Sequence, residues 1–403
     1  MQAIIQTCLF LFLLIQLVFL LYVLVPFFSL LIYAVVKLFK IPSPYQRKKA
    51  EVNKNFEFGI IITAHQETEF IFPLVDSIQR QAYQNFFVYI VADDCEITNL
   101  QFTDSRIRVL SPSPALHSKI KSISYGLSQF IQKHDAVIIL DADNLIHPSF
   151  LDVINKHFQK GYKVVQADFK PKNTDSVYAR MDAIGDVFNF FLDRDVRMMA
   201  GLSSAIWGSG VAIDLNLYNE VEYNDFLGGF DKKLQSHLVR RVNQIAFAPE
   251  AILYDEKISS GKSLENQRTR WISSYFKYFG DNFAIVLDGL KKLNLNRIYF
   301  GFITIRPPLF IVMSCAFLFA VVDYFINRAF VYTWIIALAL FFLSFVTIVI
   351  IKGKNKDYLK SLFMMPFFIL RQVMALFKIK KAKKSFLKTQ HTKLVFIDDL
   401  LKK

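Results

Sequence analysis

Two carboxylates, Asp141 and Asp143, directly follow an apolar run at residues 136–140. A run of this length is typical of a buried strand, and ligands of parallel sheets bind outside the carboxyl ends of the strands. Carboxylate oxygens suit Mg²⁺ or Mn²⁺, and such an ion can neutralise the charge on a departing nucleoside diphosphate. We therefore predict a Mg²⁺ or Mn²⁺ site at Asp141-Ala142-Asp143, with a simple turn as the alternative.

Two earlier apolar runs, at residues 60–62 and 88–91, also lead into polar residues. An acid at a strand end can accept hydrogen bonds from a base or ribose, but it can equally cap a helix or a turn. The candidates for a nucleoside pocket are Ala64, His65 and Glu67 after the first run, and Asp93 and Asp94 after the second.

Lys119 begins a predicted helix between the second and third strands, from where it could contact phosphate or simply be solvated. Further along the chain, the glycines around Gly208-Ser209-Gly210 would let the backbone approach a ligand closely, and a tight turn is the alternative.

Asp231 opens a helical pattern after two glycines and could be a helix N-cap or a general base for an acceptor hydroxyl. Gln267, Arg270 and Trp271 are spaced i, i+3 and i+4, so on a helix they share one face. Arg270 can pair with phosphate, Gln267 can bond a sugar hydroxyl, and the Trp271 indole offers a platform for a sugar ring. A surface helix, or a membrane anchor at Trp271, is the alternative.

The elements that must position these residues form an α/β pattern. Four short apolar runs alternate with longer segments that could be helices, within a polar region at residues 50–295. The runs predicted as strands of a parallel sheet are residues 59–63, 87–92, 136–140 and 163–166.

The remainder of the chain is strongly apolar, and the whole is 53% hydrophobic with 42 Phe. Residues 1–36 carry no charge and would extend roughly 54 Å as a helix against a bilayer core of roughly 30 Å, which predicts one tilted or kinked anchor at residues 1–40. Residues 299–351 predict a transmembrane hairpin, and residues 358–403 an interfacial helix with a basic tail.

Net charge is +14, and many basic residues flank the apolar segments, which favours anionic lipid over nucleic acid as the partner. The basic cluster after the first span predicts a cytoplasmic polar region. The three cysteines are far apart and indicate neither a disulfide framework nor a thiolate zinc site.

The order of these motifs resembles that of the family 2 inverting glycosyltransferases, which include cellulose, chitin and hyaluronan synthases. Gln267-Arg268-Thr269-Arg270-Trp271 is similar to the family's Q-x-x-R-W, and Thr63 to Glu67 stands where the family has P-A-Y-N-E. Phe230 precedes Asp231 where the family has Thr or an acid. Residues 228–234, 254–257 and 386–391 resemble a subgroup from Bacteroidetes.

The resemblance implies a GT-A fold, a Rossmann-like nucleotide-sugar-binding domain, beside transmembrane helices in a bacterial inner membrane. It implies a nucleotide-sugar donor, such as a UDP-sugar, and a lipid-linked or glycan acceptor. The implied roles are metal binding at Asp143 and Asp141, base catalysis at Asp231, donor binding at Ala64, His65, Glu67, Asp93, Asp94, Lys119, Asp141 and Arg270, and acceptor binding at Gly208, Ser209, Gln267 and Trp271. A nucleotidyltransferase and a non-catalytic nucleotide-sugar sensor are the alternative functions.

Overall fold

A computed structural model describes residues 1–226, 228–378 and 392–402. The segment 386–391, which carries part of the subgroup resemblance, lies outside these residues. One eight-stranded sheet has the strand order 3-2-1-4-7-6-8-5. The strands are β1 Phe58–His65, β2 Phe86–Asp93, β3 Ile107–Leu110, β4 Ala136–Asp141, β5 Leu145–Ile146, β6 Val164–Pro171, β7 Val211–Asp214 and β8 Ala246–Asp255.

The described helices pack against this sheet or extend away from it as long apolar rods. They are α1 Gln2–Leu38, α2 Pro44–Arg47, α3 Ile71–Gln79, α4 Lys119–Ser128, α5 Phe150–Gln159, α6 Val177–Phe190, α7 Val196–Met199, α8 Leu215–Asn219, α9 Phe230–Leu238, α10 Gly261–Lys277, α11 Phe279–Lys291, α12 Leu295–Thr304, α13 Leu309–Ile326, α14 Arg328–Gly353, α15 Asp357–Ser361, α16 Met365–Phe377 and α17 Ile397–Leu401. A π-helical turn, Phe191–Asp195, joins α6 to α7, and a 3₁₀ turn, Leu362–Met364, precedes α16.

All four predicted strands are present, as β1, β2, β4 and β6. The apolar residues of β1 and β4 are fully buried because helices cover both faces of the sheet centre, which explains the uninterrupted apolar runs.

Each of the four predicted strands has a parallel neighbour, and the sheet is mixed because β7 pairs antiparallel with both β4 and β6, and β5 pairs antiparallel with β8. This reversal matters for the site. The start of β7, not its end, lies beside the carboxyl end of β4, where Val211 pairs with Ile139 and Gly210 N–H donates to Ile139 O over 2.9 Å. Residues 208–210 are thereby brought to the same edge of the sheet as Asp141.

Serine caps fix the starts of two of the three helices that carry predicted site residues. Ser118 caps α4 by accepting from Lys121 N–H, and Ser260 caps α10 by accepting from Ser263 N–H. The predicted helix at Lys119 is confirmed, and Gln267, Arg270 and Trp271 all lie on α10.

Four helices among the described residues are long and apolar enough to cross a membrane: α1, α13, α14 and the segment Asp357–Leu376. α1 is continuous through Pro26 and packs on α13 and α14. Asp323 links the three, since its carboxylate accepts from Gln16 of α1 at 2.8 Å and from Trp334 of α14 at 3.0 Å. The interfacial placement predicted for residues 358–377 stays a prediction.

Candidate active site

An ion pair between Lys119 and Asp141 lies at the centre of the crevice. Lys119 Nζ donates to the Asp141 carboxylate and, over 2.6 Å, to the carbonyl oxygen of Gly208. Thr63 Oγ1 is 3.4 Å from the same carboxylate. The first residue of α4, the end of β4 and the loop before β7 therefore meet at one ammonium group.

The Asp141-Ala142-Asp143 turn is held in place by hydrogen bonds with neighbouring buried side chains. Asp141 N–H donates to Asn144 Oδ1 at 2.9 Å and to Ser209 Oγ at 3.1 Å, and Ser209 also bonds Asn144. The buried Lys172 donates to the carbonyl of Asp143. Burial lowers the pKa of Lys172, opposed by the nearby acids Asp143, Glu256 and Asp255.

These donors fit the predicted hard cation. Asp141 is half-buried at the crevice with its carboxylate paired with the Lys119 ammonium group, and Asp143 follows in the same turn. Carboxylate oxygens in this arrangement suit Mg²⁺ or Mn²⁺. Ser209, by contrast, is buried, and its hydroxyl bonds this turn, so its predicted acceptor contact stays untested.

Asp231 lies in the first turn of α9, and the alternative of an N-cap is wrong. Gly229 occupies the N-cap position with φ +67° and no side-chain cap. A Cβ at Gly229 would lie 2.7 Å from the Tyr278 ring, so both conformation and space require glycine there. The Asp231 carboxylate is thus left available, with its side chain 22% exposed and Lys232 Nζ at 3.9 Å.

Phe230, which replaces the family's Thr or acid, covers the ion pair. Its ring centroid is 5.1 Å from Lys119 Nζ, and a Cβ on Gly208 would lie 3.3 Å from its edge. Phe230 therefore links the base candidate on α9 to the phosphate-binding candidate on α4.

The three predicted residues of α10 lie in different surroundings. Burial lowers the pKa of Arg270, opposed by the charge of Asp141, which makes Asp141 a close electrostatic neighbour. Gln267 Oε1 is buried and has no hydrogen-bond partner within the described residues, as expected of an acceptor that awaits a ligand hydroxyl. Trp271 is 43% exposed, with the Arg268 guanidinium 4.2 Å from its ring centroid.

The nucleoside-side residues form a separate group at the ends of β1 and β2. The buried Asp93 carboxylate accepts the N–H groups of Leu116 at 2.6 Å and His117 at 2.7 Å, and His65 Nδ1 is 3.3 Å from it. Asp93 therefore shapes the loop before α4. Asp94 is exposed with φ +53° and accepts from Gln66, while Ala64 is buried and Glu67 is half-buried.

His65, Asp93 and His117 also bring one ligand atom each within 4.8 Å of one another. Among the described residues, these three side chains are the set of His, Cys, Asp or Glu that lies close enough together to hold one metal ion. It lies at the ends of β1 and β2 and in the loop before α4, and not at the Asp141-Ala142-Asp143 turn.

Sequence reasoning missed a second layer behind the crevice. Gln166 of β6 accepts from Trp207 N–H at 2.8 Å and donates to the carbonyls of Ser209 and Gly210, each at 3.1 Å. The Arg194 guanidinium lies 4.4 Å from the Trp207 ring centroid, and Trp207 lies 6.3 Å from Trp271. The one available signal was a glutamine within the apolar run of β6.

Comparison with known proteins agrees with this geometry. Residues 55–274 match the profile of the family described as glycosyltransferase like family 2. The fold is similar to that of a mannosyltransferase from Pyrobaculum calidifontis, solved in complex with GDP-Man and Mn²⁺, with a TM-score of 0.54 and 13% identity over 92% of this chain and 99% of that one. No curated protein matches the chain.

The structural likeness at this identity concerns the fold, and the family match covers more than half of the 403 residues. The predicted α/β, GT-A architecture is confirmed. The chain belongs to the glycosyltransferase family 2-like proteins and is a glycosyltransferase.

Proposed function

We propose that this protein is a membrane-bound inverting glycosyltransferase that moves a sugar from a nucleotide-sugar, such as a UDP-sugar, to a lipid-linked or polysaccharide acceptor. The observation that carries the proposal is the meeting of Lys119, Asp141 and Gly208 at one point, with Asp231 and Arg270 on the two helices beside it. This arrangement provides cations that can bind a diphosphate and, on a separate helix, a carboxylate that can act as a base.

In this reaction Asp231 takes the proton of the acceptor hydroxyl while that oxygen attacks the anomeric carbon. The bond from the anomeric carbon to the diphosphate oxygen breaks on the opposite face, so configuration inverts and the nucleoside diphosphate leaves. Positioning and electrostatic stabilisation supply most of the acceleration, because the nucleophile is an ordinary hydroxyl.

Lys119 and Arg270 are placed to stabilise negative charge on the departing diphosphate. Asp141 and Asp143 would hold Mg²⁺ or Mn²⁺, which supplies Lewis-acid stabilisation of the same oxygens when bound. Release of Lys119 from Asp141 would then let the lysine pair with phosphate while the carboxylate binds the cation.

The acceptor is proposed to contact Gly208, Ser209, Gln267 and Trp271. The unpartnered buried Oε1 of Gln267 supports a hydroxyl ligand, and the exposed Trp271 face supports a sugar ring. On the donor side we propose Ala64, His65, Glu67, Asp93 and Asp94 around the nucleoside.

For location, we propose a bacterial inner membrane with the catalytic domain, residues 50–295, in the cytoplasm. The supporting feature is the basic cluster that directly follows the anchor at residues 1–40. The hairpin 299–351 and the segment 358–403 would complete the membrane part.

The decisive experiment is a donor screen on full-length enzyme, scored by release of nucleoside diphosphate, followed by Asp231→Asn. We expect turnover to fall about 10²- to 10⁴-fold because the general base is lost, with UDP affinity unchanged. Asp281→Asn is the matched control, since this exposed acid pairs with Lys233. Loss of UDP binding in Asp231→Asn would refute the base assignment.

The two alternative functions predict different products from the same screen. A nucleotidyltransferase would release pyrophosphate, and a sensor would bind UDP tightly without transfer to any acceptor. Membership of a glycosyltransferase family favours sugar transfer over both.

A further inference from the structure

A narrow apolar groove of about 230 Å³ lies between the anchor helix α1 and the catalytic domain. Its walls come from α1, from the end of α7 and from α12. The residues that define it are Leu21, Val25 and Phe28, then Ala200, then Tyr299 and Phe302.

The groove has one charged wall, formed by Arg197 of α7. This side chain is 2% exposed, and its Nη2 donates to Asp193 at 2.8 Å. Its Nε and Nη1 are buried and have no hydrogen-bond partner within the described residues, while the rings of Tyr299 and Phe300 lie 5.5 Å from the guanidinium. A buried cation with two unused donors is costly unless an anion approaches it.

Arg197 shares its carboxylate partner with other cations. Asp193 is shared by Arg197 and, at 3.7 Å, Arg306, and it also feels the buried Arg194. The charge of Arg194 is offset by further acids, so complementarity to an additional anion rests on the two unpartnered donors of Arg197.

The position of the groove restricts what can fill it. Leu21 and Phe28 are 42% and 49% exposed on a helix apolar enough to cross a membrane. An α-helix with its side chains is about 10–12 Å wide, whereas an extended hydrocarbon chain is narrower and suits a narrow apolar groove beside such a helix.

The position of the groove along α1 also agrees with a lipid headgroup at the end of the groove that contains Arg197. Tyr33, near the end of α1, contacts Lys352 of α14 at 4.7 Å, and Lys37 follows one turn later. Basic residues at this end attract anionic lipid.

We propose that the groove binds one anionic membrane phospholipid, with its phosphate on Arg197 and part of an acyl chain along α1. The inference depends on the membrane association of α1 and not on sugar transfer, so it can fail while the proposed function stands. The bound lipid would join the anchor to the π-helical turn behind Trp207.

The test uses the full-length protein in nanodiscs of phosphatidylcholine with a minority of phosphatidylglycerol. Native mass spectrometry then counts the lipids that stay bound to the protein after it is released from the nanodisc. We expect wild type to retain one phosphatidylglycerol per chain. Arg197→Gln should retain it about tenfold less, because a charge-assisted contact is lost.

Ala200→Trp is the second variant, and it fills the groove while keeping every charge. Ala200 is exposed at the end of α7, so folding does not depend on it, and the variant decides the question even if Arg197→Gln fails to fold. Leu14→Trp is the matched control, because Leu14 is a 47% exposed residue of α1 outside the groove.

Loss of phosphatidylglycerol in Ala200→Trp but not in Leu14→Trp would support the proposal. Equal retention in Ala200→Trp and wild type would overturn it, as would retention of phosphatidylcholine as often as phosphatidylglycerol. Preferential retention of a polyprenyl phosphate added to the same nanodiscs would overturn the phospholipid as occupant.

Discussion

Two of the protein's lysine–carboxylate groups differ in their access to water. The crevice pair, Lys119 and Asp141, has side chains 27% and 38% exposed. The buried trio consists of Lys257, Asp186 and Asp255, where Lys257 is 2% exposed and Asp186 10%. In the trio Lys257 bonds both acids and joins the end of β8 to α6.

Solvation gives these similar groups different uses. In the crevice pair, water compensates either partner when the other leaves, so the ion pair is worth little and can exchange. In the trio, removal of Lys257 leaves the buried Asp186 with little access to water. The comparison teaches that the crevice pair is suited to ligand exchange, whereas the trio holds the sheet to α6.

The largest expected effect is on the trio. Lys257→Met should lower the free energy of unfolding by about 3–5 kcal/mol, because the buried Asp186 and the partly buried Asp255 lose their counter-charge. Chemical unfolding in detergent measures this, with Lys156→Met as control, since Lys156 and its partner Asp152 have side chains 57% and 39% exposed. A change below 1 kcal/mol in Lys257→Met would contradict the distinction.

The second effect concerns the crevice pair. Lys119→Met should reduce kcat/KM about 10²-fold, because a donor to the leaving diphosphate is removed, while the free energy of unfolding changes by less than about 1 kcal/mol. Steady-state kinetics and unfolding are measured on the same preparation. Lys121→Met, on the same helix, is the control, and a comparable loss of activity there would show that the effect is not specific to the pair.

The smallest effect is a pH dependence of stability. Burial is the main cause that raises the pKa of Asp255, from 3.8 to about 7, with Asp186 and Asp143 contributing and Lys257 opposing. The folded protein thus holds this proton more tightly than the unfolded chain, so stability from this group is lost as pH rises from about 4 to about 7.

Unfolding curves of wild type and Asp255→Asn across that range check the sign. The stability of wild type relative to the variant should decrease as the pH rises. Asp152→Asn, at a surface acid paired with Lys156, should show no such trend. Parallel curves for wild type and Asp255→Asn would contradict the raised pKa.

Sequence patterns predicted the parts of the fold in which local signals are strong. The uninterrupted apolar runs of β1 and β4 identified buried strands, and spacing identified the shared face of Gln267, Arg270 and Trp271. The antiparallel β7 was not predicted, because a four-residue strand carries little signal for its existence or its orientation. β8 was missed because Pro249 and Glu250 interrupt its apolar pattern.

The candidate site divides in the same way. Asp141 and Asp231 were identifiable because each directly follows a recognisable local pattern. The stacking of Arg194 on Trp207 and the closure of the trio around Lys257 depend on side chains far apart in sequence, for which periodicity gives no information. The motif at residues 254–257 was recognised in the sequence, but its burial could not be predicted from the sequence.

The packing of α1 also bears on how this enzyme can be prepared. Tyr22 stacks on Phe302 at 4.6 Å, and Tyr33 packs edge-on against Phe191 of the π-helical turn at 5.3 Å. A shortened protein that begins after residue 40, made to avoid detergent, would expose both aromatic faces to water. Solubility gained by truncation would then be offset by aggregation, so the anchor is better kept as a part of the folded enzyme.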